Sequence, residues 1–246
     1  MSLQVWLPLN GNLNNNGLLN ISPSLSGSPT FTDGKIGPAL TTSTDGQGVV
    51  LNGIMSTLST FTNYSMACWV YITKEPTGHS STILSSGDWN QPANQMCFAL
   101  YNYSSGYKTL LVPNRSGWSN GINLSHTLAL NTWYHIAIIY NGTKTDAYIN
   151  GEYSGSYSGG GITPTSNTPN AKLFAATYTN SFTLNGKIND FRIYNHCLSI
   201  KEIKELAKAK VLHYKLSSNK PVTNLKKNTS FVIYNNYSTN ITTSLT

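Results

Sequence analysis

The chain has 246 residues, with 16 Lys or Arg against nine Asp or Glu and a formal net charge of +7, enough for one large all-β domain with an appendage or two small domains. Charged side chains make up 10% of it and aromatic ones 11%, against roughly 25% charged in ordinary globular proteins. Three cysteines without metal spacing exclude a disulfide framework, and no apolar run approaches the roughly 18 residues of a membrane span.

The charge is uneven. Residues 1–200 hold eight basic and seven acidic side chains, whereas 201–246 hold eight lysines against Glu202 and Glu205. A neutral body with a basic tail, crossed by no basic stripe interleaved with aromatics, argues against nucleic acid as a partner. Polarity comes instead from Asn, Ser, Thr and Gly, and the 29 asparagines fit the codon bias of an AT-rich genome, that of a bacterium or its phage.

In chain order, Leu3–Leu9 reads as a short strand, followed by a turn-rich GNLNNNG. Ser22 to Thr44 reads as loop, with Pro23, Pro29 and Pro38, before a strand at Val49–Leu51. Tyr64–Thr73 alternates as a central strand apolar on both faces. Shorter strands are expected at Ile83–Gly87, Gln95–Tyr103 and Lys108–Val112, and a loop at Asn114–Asn123. The clearest hairpins join Trp133–Tyr140, Asp146–Ile149 and Glu152–Tyr157 through Asn141-Gly142 and Asn150-Gly151, dipeptides that tolerate the positive φ of a type I′ turn. Gly159–Pro169 reads as loop and Ala171–Tyr178 as strand.

The stretch Leu184–Leu206 closes the domain. Phe191 and Ile193 fall on one side of an alternating strand, with Asp190, Arg192 and Tyr194 on the other. Ser199 and Glu202 then form an S-x-x-E capping box, and Ile200, Ile203, Leu206 and Ala207 repeat at helical spacing. Many short strands with one helix predict an all-β antiparallel jelly-roll β-sandwich with a short C-terminal helix, spanning residues 1–210. Residues 211–246 form a basic polar extension that cannot build a core alone.

Several segments, in order, carry a family resemblance: VWLPLNGNL, the GKIGPAL at 34–40, YSMACWVYI, NTWYHIAIIYNGTKTDAYINGEYSG and LNGKINDFRIYNHCLSIKEIKEL. Together they resemble a laminin-G-like domain of the concanavalin A-like lectin/glucanase superfamily over about residues 3–207, of the kind found in phage tail and baseplate proteins, which often continue into a segment resembling VLHYKL at 211–216. The resemblance implies a sandwich serving as a sugar-binding module, an adhesion domain or a virion part. Where relatives place Asp residues in the first loop and the last strand, this chain has Asn14, Asn15 and Asn16, and Asn189 beside Asp190. One carboxylate is a poor calcium ligand set, so no cofactor is expected beyond a weak structural calcium, and pairing of Asp190 with Arg192 is the favoured alternative.

Catalytic patterns are weak. Gly117-Trp118-Ser119-Asn120-Gly121 matches G-x-S-x-G, with Asp146 and His196 in hydrolase order, but a nucleophile elbow needs a strand, a turn and a helix in a parallel sheet. Glucanase members of the superfamily present an E-x-D-x-E strand, whereas the four glutamates here, Glu75, Glu152, Glu202 and Glu205, share no strand. His135, within a strand, is expected to be packed with a satisfied ring nitrogen. Recognition chemistry is stronger. Asp88, Trp89 and Asn90 in one loop, and Arg115, Trp118 and Asn120 in another, set indoles among amides and charges, the combination that stacks and hydrogen-bonds a sugar.

The expectation is a non-enzymatic carbohydrate-binding module of a phage virion, on a tail fibre, baseplate or receptor-binding apparatus. Its partners would be a host-surface glycan and other virion subunits, in a homo-oligomer, with no nucleic acid and no membrane. A structural or decoration protein and a polysaccharide depolymerase are the alternatives.

Overall fold

The computed structural model describes residues 2–75, 80–86, 96–102, 107–113, 121–162, 169–177 and 182–208. The chain divides between Ala209 and Lys210, and the C-terminal extension lies outside the described residues. Strands β1 (Leu3–Leu7), β2 (Pro23–Ser26), β3 (Thr30–Asp33), β4 (Pro38–Thr42) and β5 (Gly48–Leu51) lead to a one-turn helix, α1 (Met55–Leu58). Then come β6 (Tyr64–Ile72), β7 (Ser80–Ser86), β8 (Met96–Asn102), β9 (Tyr107–Leu111) and β10 (Ile122–Leu128). Strands β11 (Trp133–Tyr140), β12 (Lys144–Ile149), β13 (Glu152–Ser158), β14 (Ala171–Leu173) and β15 (Gly186–Tyr194) precede the helix α2 (Ile200–Ala207).

The strands form two antiparallel sheets. Sheet A runs β13-β12-β11-β6-β15-β4-β3, with β1 also on β15, and sheet B runs β10-β9-β8-β7-β14-β5-β2. The core lies between them, and the period-2 alternation of each strand decides which side chains enter it. In β6, Met66, Cys68, Val70 and Ile72 point inward to meet Phe98, Phe174 and Phe191 in one buried cluster. Cys68 and Cys97 are buried within strands.

The expected Ser22–Thr44 loop instead contains β2, β3 and β4. Pro23 and Pro38 each open a strand, a position where proline's missing N–H costs no ladder bond. The expected loop through Asn123 ends earlier, because Ile122, Leu124 and Leu128 of β10 are buried between exposed polar residues. Among the described residues of the expected Ala171–Tyr178 strand only β14 forms, with Phe174 turning the chain at φ 74°. The hairpin turns also differ from each other. Asn150 and Gly151 both take positive φ, 53° and 88°, whereas at the other turn only Gly142 does. Asn141 instead accepts from the backbone N–H groups of Thr143 (3.1 Å) and Lys144 (3.0 Å) with its side chain.

Strand β15 organises sheet A. Its Phe191–Tyr194 half pairs with β1 and its Gly186–Ile188 half with β4, so two short strands share one edge of it, while β6 runs along the other. A bulge falls between the halves, and Asp190 adopts φ 56° there. Asn189 bridges the gap with its buried amide. Its Nδ2 donates to the carbonyls of Pro8 (2.9 Å) and Pro38 (3.1 Å), and its Oδ1 accepts from the N–H of Ile36 (2.7 Å). The side chain thus replaces the ladder bonds that the break between β1 and β4 leaves out.

Helix α2 packs on the outer face of sheet A. Ile203 is fully buried there among Ala67, Ala137, Ile139 and Leu198. The capping box is present in both directions, the Ser199 N–H donating to Glu202 (2.7 Å) and the Glu202 N–H to Ser199 Oγ (3.3 Å). Ile200, expected on the buried face, is 58% exposed. At the opposite seam β10 lies against β13, where the Ser125 N–H donates to Ser154 Oγ (3.1 Å). A Cβ at Gly155 would sit 2.6 Å from the Asn123 carbonyl oxygen, so glycine there lets the strands meet.

Candidate functional site

The six residues expected to bind sugar, Asp88, Trp89, Asn90, Arg115, Trp118 and Asn120, lie outside the described residues. The strands that flank them are described. In sheet B, Ser86 at the end of β7 pairs with Met96 at the start of β8, and Leu111 at the end of β9 pairs with Ala99. Ile122, at the start of β10, pairs with Leu110. The antiparallel order therefore brings the bases of both segments to the same end of the sheet, offset by three residues, or about 10 Å along the strands. Asn170, just before β14, belongs to this rim, its carbonyl accepting from Ser86 Oγ (2.6 Å) and its side chain from the Gly53 N–H (2.8 Å).

Asp190 is engaged within the fold through one carboxylate oxygen. Its Oδ1 accepts from Trp6 Nε1 (2.7 Å) and from Arg192 Nε (2.9 Å), as the Asp–Arg alternative anticipated. The guanidinium then lies 4.7 Å from the centre of the Trp6 ring. Asn189, read in sequence as a missing carboxylate, has the strand-bridging role described above. Among the described residues no group of three or more His, Cys, Asp or Glu could hold a metal ion.

The same outer face of sheet A carries further aromatic pairs. Trp133 on β11 pairs in register with Tyr71 on β6, and His135 with Trp69. The ring centres are 5.3 Å apart in each pair. His135 is packed, as expected, but its Nδ1 lacks a hydrogen-bond partner, and so does the buried Nε1 of Trp69. Burial, assisted by the nearby Arg192 charge, pushes the imidazole pKa down to about 3, so the ring is neutral. Lys35 lies 4.8 Å from the centre of the Trp69 ring and Lys187 5.8 Å from that of Tyr71. Sequence reasoning missed this face, because strand alternation shows that Trp69, Tyr71 and His135 share a side but not that a turn lysine reaches over them.

A family model described as the concanavalin A-like lectin/glucanases superfamily matches residues 43–204. The chain belongs to this superfamily. Its laminin-G-like sandwich is similar to domain 4 of an extracellular arabinanase from Geobacillus stearothermophilus, solved in complex with arabinotriose. The TM-score is 0.66 at 21% identity, covering 84% of this chain and 98% of that one. It is also similar to the ligand binding domain of botulinum neurotoxin serotype D in complex with N-acetylneuraminic acid, with a TM-score of 0.62 at 19% identity, covering 84% of this chain and 50% of that one. The binding domain of Paraclostridial Mosquitocidal Protein 1 gives a TM-score of 0.63 at 17% identity, covering 84% and 52%. This chain thus spans about half the length of the toxin domains. No curated protein sequence matches the chain significantly.

The glutamates of this superfamily member are spread over the sandwich. Glu75 accepts from the Asn102 side chain, Glu152 pairs with Lys204 (2.9 Å), Glu202 closes the capping box and Glu205 lies 3.8 Å from Lys208. The G-x-S-x-G match lies outside the described residues apart from Gly121. It is bounded by strands β9 and β10, so the helix that a nucleophile elbow requires does not follow it. Asp146 forms an ion pair with Lys144 (3.1 Å).

Proposed function

We propose that this laminin-G-like sandwich is a non-catalytic glycan-recognition module of a phage virion, carried on a tail fibre, baseplate or receptor-binding apparatus. In this reading it engages a host-surface polysaccharide through the rim of sheet B. Trp89 and Trp118 stack on pyranose faces, while Asp88, Asn90, Arg115 and Asn120 hydrogen-bond the hydroxyls. The observation that carries the reading is the register of sheet B, in which the strands flanking the two tryptophan-bearing segments end on one rim.

Two further lines support it. The superfamily description names lectins, and structural neighbours were solved with arabinotriose and with N-acetylneuraminic acid. The virion setting rests on the phage-like continuation at 211–216 and on the asparagine-rich composition, with neighbouring subunits or copies of the chain as additional partners.

Glycan-array binding of the parent protein, Trp89→Ala and Trp118→Ala tests the site. Each substitution is expected to weaken binding by up to about tenfold, from the loss of a stacking contact worth roughly 0.5–1.5 kcal/mol. Binding unchanged in both variants overturns the rim assignment, release of reducing ends from the polysaccharide overturns the non-catalytic reading, and absence of the protein from purified particles overturns the virion setting.

A further inference from the structure

The outer face of sheet A next to helix α2 has the chemistry of a second binding surface. Two levels of side chains cross it. Trp133, Tyr71 and Lys187 stand side by side on β11, β6 and β15, and one level along the strands stand His135, Trp69 and Asn189. Trp133 and Tyr71 are half-buried, so their rings remain partly open to solvent, whereas Trp69 and His135 are buried beneath. Trp133 and Lys187 are separated by two strand spacings, roughly 9–10 Å, about the length of a disaccharide.

The charge on this face is unbalanced. Lys35 stands over Trp69 from the β3–β4 turn, and Lys187 stands over Tyr71 while donating to the Asp33 backbone carbonyl (2.7 Å). Among the described residues neither ammonium lies within ion-pairing distance of a carboxylate. Asp190 is already engaged by Arg192 and Trp6. The aromatic rings hold both ammonium groups over the face, an arrangement that favours an anion placed between them.

The layer below is costly. Trp69 Nε1 and His135 Nδ1 are buried without partners, and an unpaired buried polar group costs about 1–3 kcal/mol. A sheet face that needed only a cover would lose nothing with aliphatic side chains here, so the aromatic pair calls for an explanation beyond packing.

We infer that this face binds an acidic polysaccharide, one whose pyranose rings carry carboxylates. The sugar ring stacks on Trp133 beside Tyr71, whose face Lys187 covers, and the carboxylate pairs with Lys187 and Lys35. The surface lies on the other sheet from the rim proposed above and stands or falls independently of it.

The test is binding of the full chain to polygalacturonate (uronate) and polysialic acid (sialate), against neutral dextran and duplex DNA, at ionic strengths from roughly 0.05 to 0.5 M. At least one acidic polysaccharide is expected to bind and dextran not to. Affinity should fall at high salt, by about tenfold or more in Lys35→Ala/Lys187→Ala, and similarly in Trp133→Ala. Neither lysine is buried, which makes the double variant the deciding one should Trp133→Ala fail to fold. Trp89→Ala and Trp118→Ala should leave this binding intact, which separates it from the rim site. The proposal is overturned if the lysine pair can be removed without effect, if dextran binds as well as both acidic polymers, or if DNA binds as tightly as either, since charge alone then accounts for the affinity.

Discussion

Asn189 and Asp190 are neighbours on one bulge with different tasks. Asn189 is wholly buried and makes three hydrogen bonds to backbone groups just after β1, in the β3–β4 turn and at the start of β4, together worth about 3 kcal/mol at a net of about 1 each. An aspartate there would lack the two donors that hold Pro8 and Pro38, so the asparagine is a structural requirement. The departure from an Asp-Asp pattern was legible in the sequence, but its cause was not, because the partners lie more than 150 positions away.

His135 shows the same limit. Its burial follows from strand alternation, but its unpaired nitrogen depends on neighbours in three strands. The unfolded chain protonates this side chain near pH 6.5 and the folded protein only near pH 3. Between those values the unfolded state holds the extra proton, so stability rises with pH through the window and levels off above 6.5. Acidification from pH 7 to 4 should remove about 3 kcal/mol through this group, read as a drop in the urea midpoint. His135→Phe, which keeps an edge contact with Trp69, should abolish that part of the slope; an unchanged slope would show that other groups cause it.

At the scale of elements, strands with strong alternation were readable and those built from Pro, Ser and Thr were not. β6, β11 and β13 follow their side-chain pattern closely, whereas β2 and β3 hold no buried residue and are strands because β5 and β4 offer them edges. Helix α2 lies between these cases. Its capping box is local and was plain in the sequence, but which of its apolar residues touch the sheet is set by docking, and Ile200 stays in solvent. With only eight residues, the helix depends on its cap and on Ile203. Ser199→Ala should cost about 1 kcal/mol and speed amide exchange in residues 200–207 while β15 stays protected. Loss of protection in β15 as well would mean that the helix and the sheet unfold as one unit.

At the scale of the whole molecule, edges of the two sheets meet at a seam, β10 against β13, and Gly155 sets their separation. With φ 145° and an imagined Cβ 2.6 Å from Asn123 O and 2.8 Å from Ile122 Cγ2, any side chain must push the strands apart. Gly155→Val is expected to destabilise the domain by about 2–4 kcal/mol, with the loss of exchange protection greatest in residues 122–128 and 152–158. A variant as stable as the parent would show that the seam tolerates opening. The sandwich class was evident from the strand spacing. The seam was not, since contact between two sheet edges leaves no periodic mark in either strand.

The pairing of β1 with β15 also sets a timetable. Leu3 sits opposite Tyr194, and the Ser2 N–H donates to the Asn195 side chain (3.0 Å), so β1 leaves the ribosome long before the strand it pairs with. The break that Asn189 seals stays open until β15 has emerged, and until then β6 lacks one of its two neighbours in sheet A. Pairing over such sequence separation is slow, and its unsatisfied edges attract other chains in the meantime. Truncation before β15 therefore removes the partner of three strands at once, and the incomplete chain is the form most exposed to aggregation.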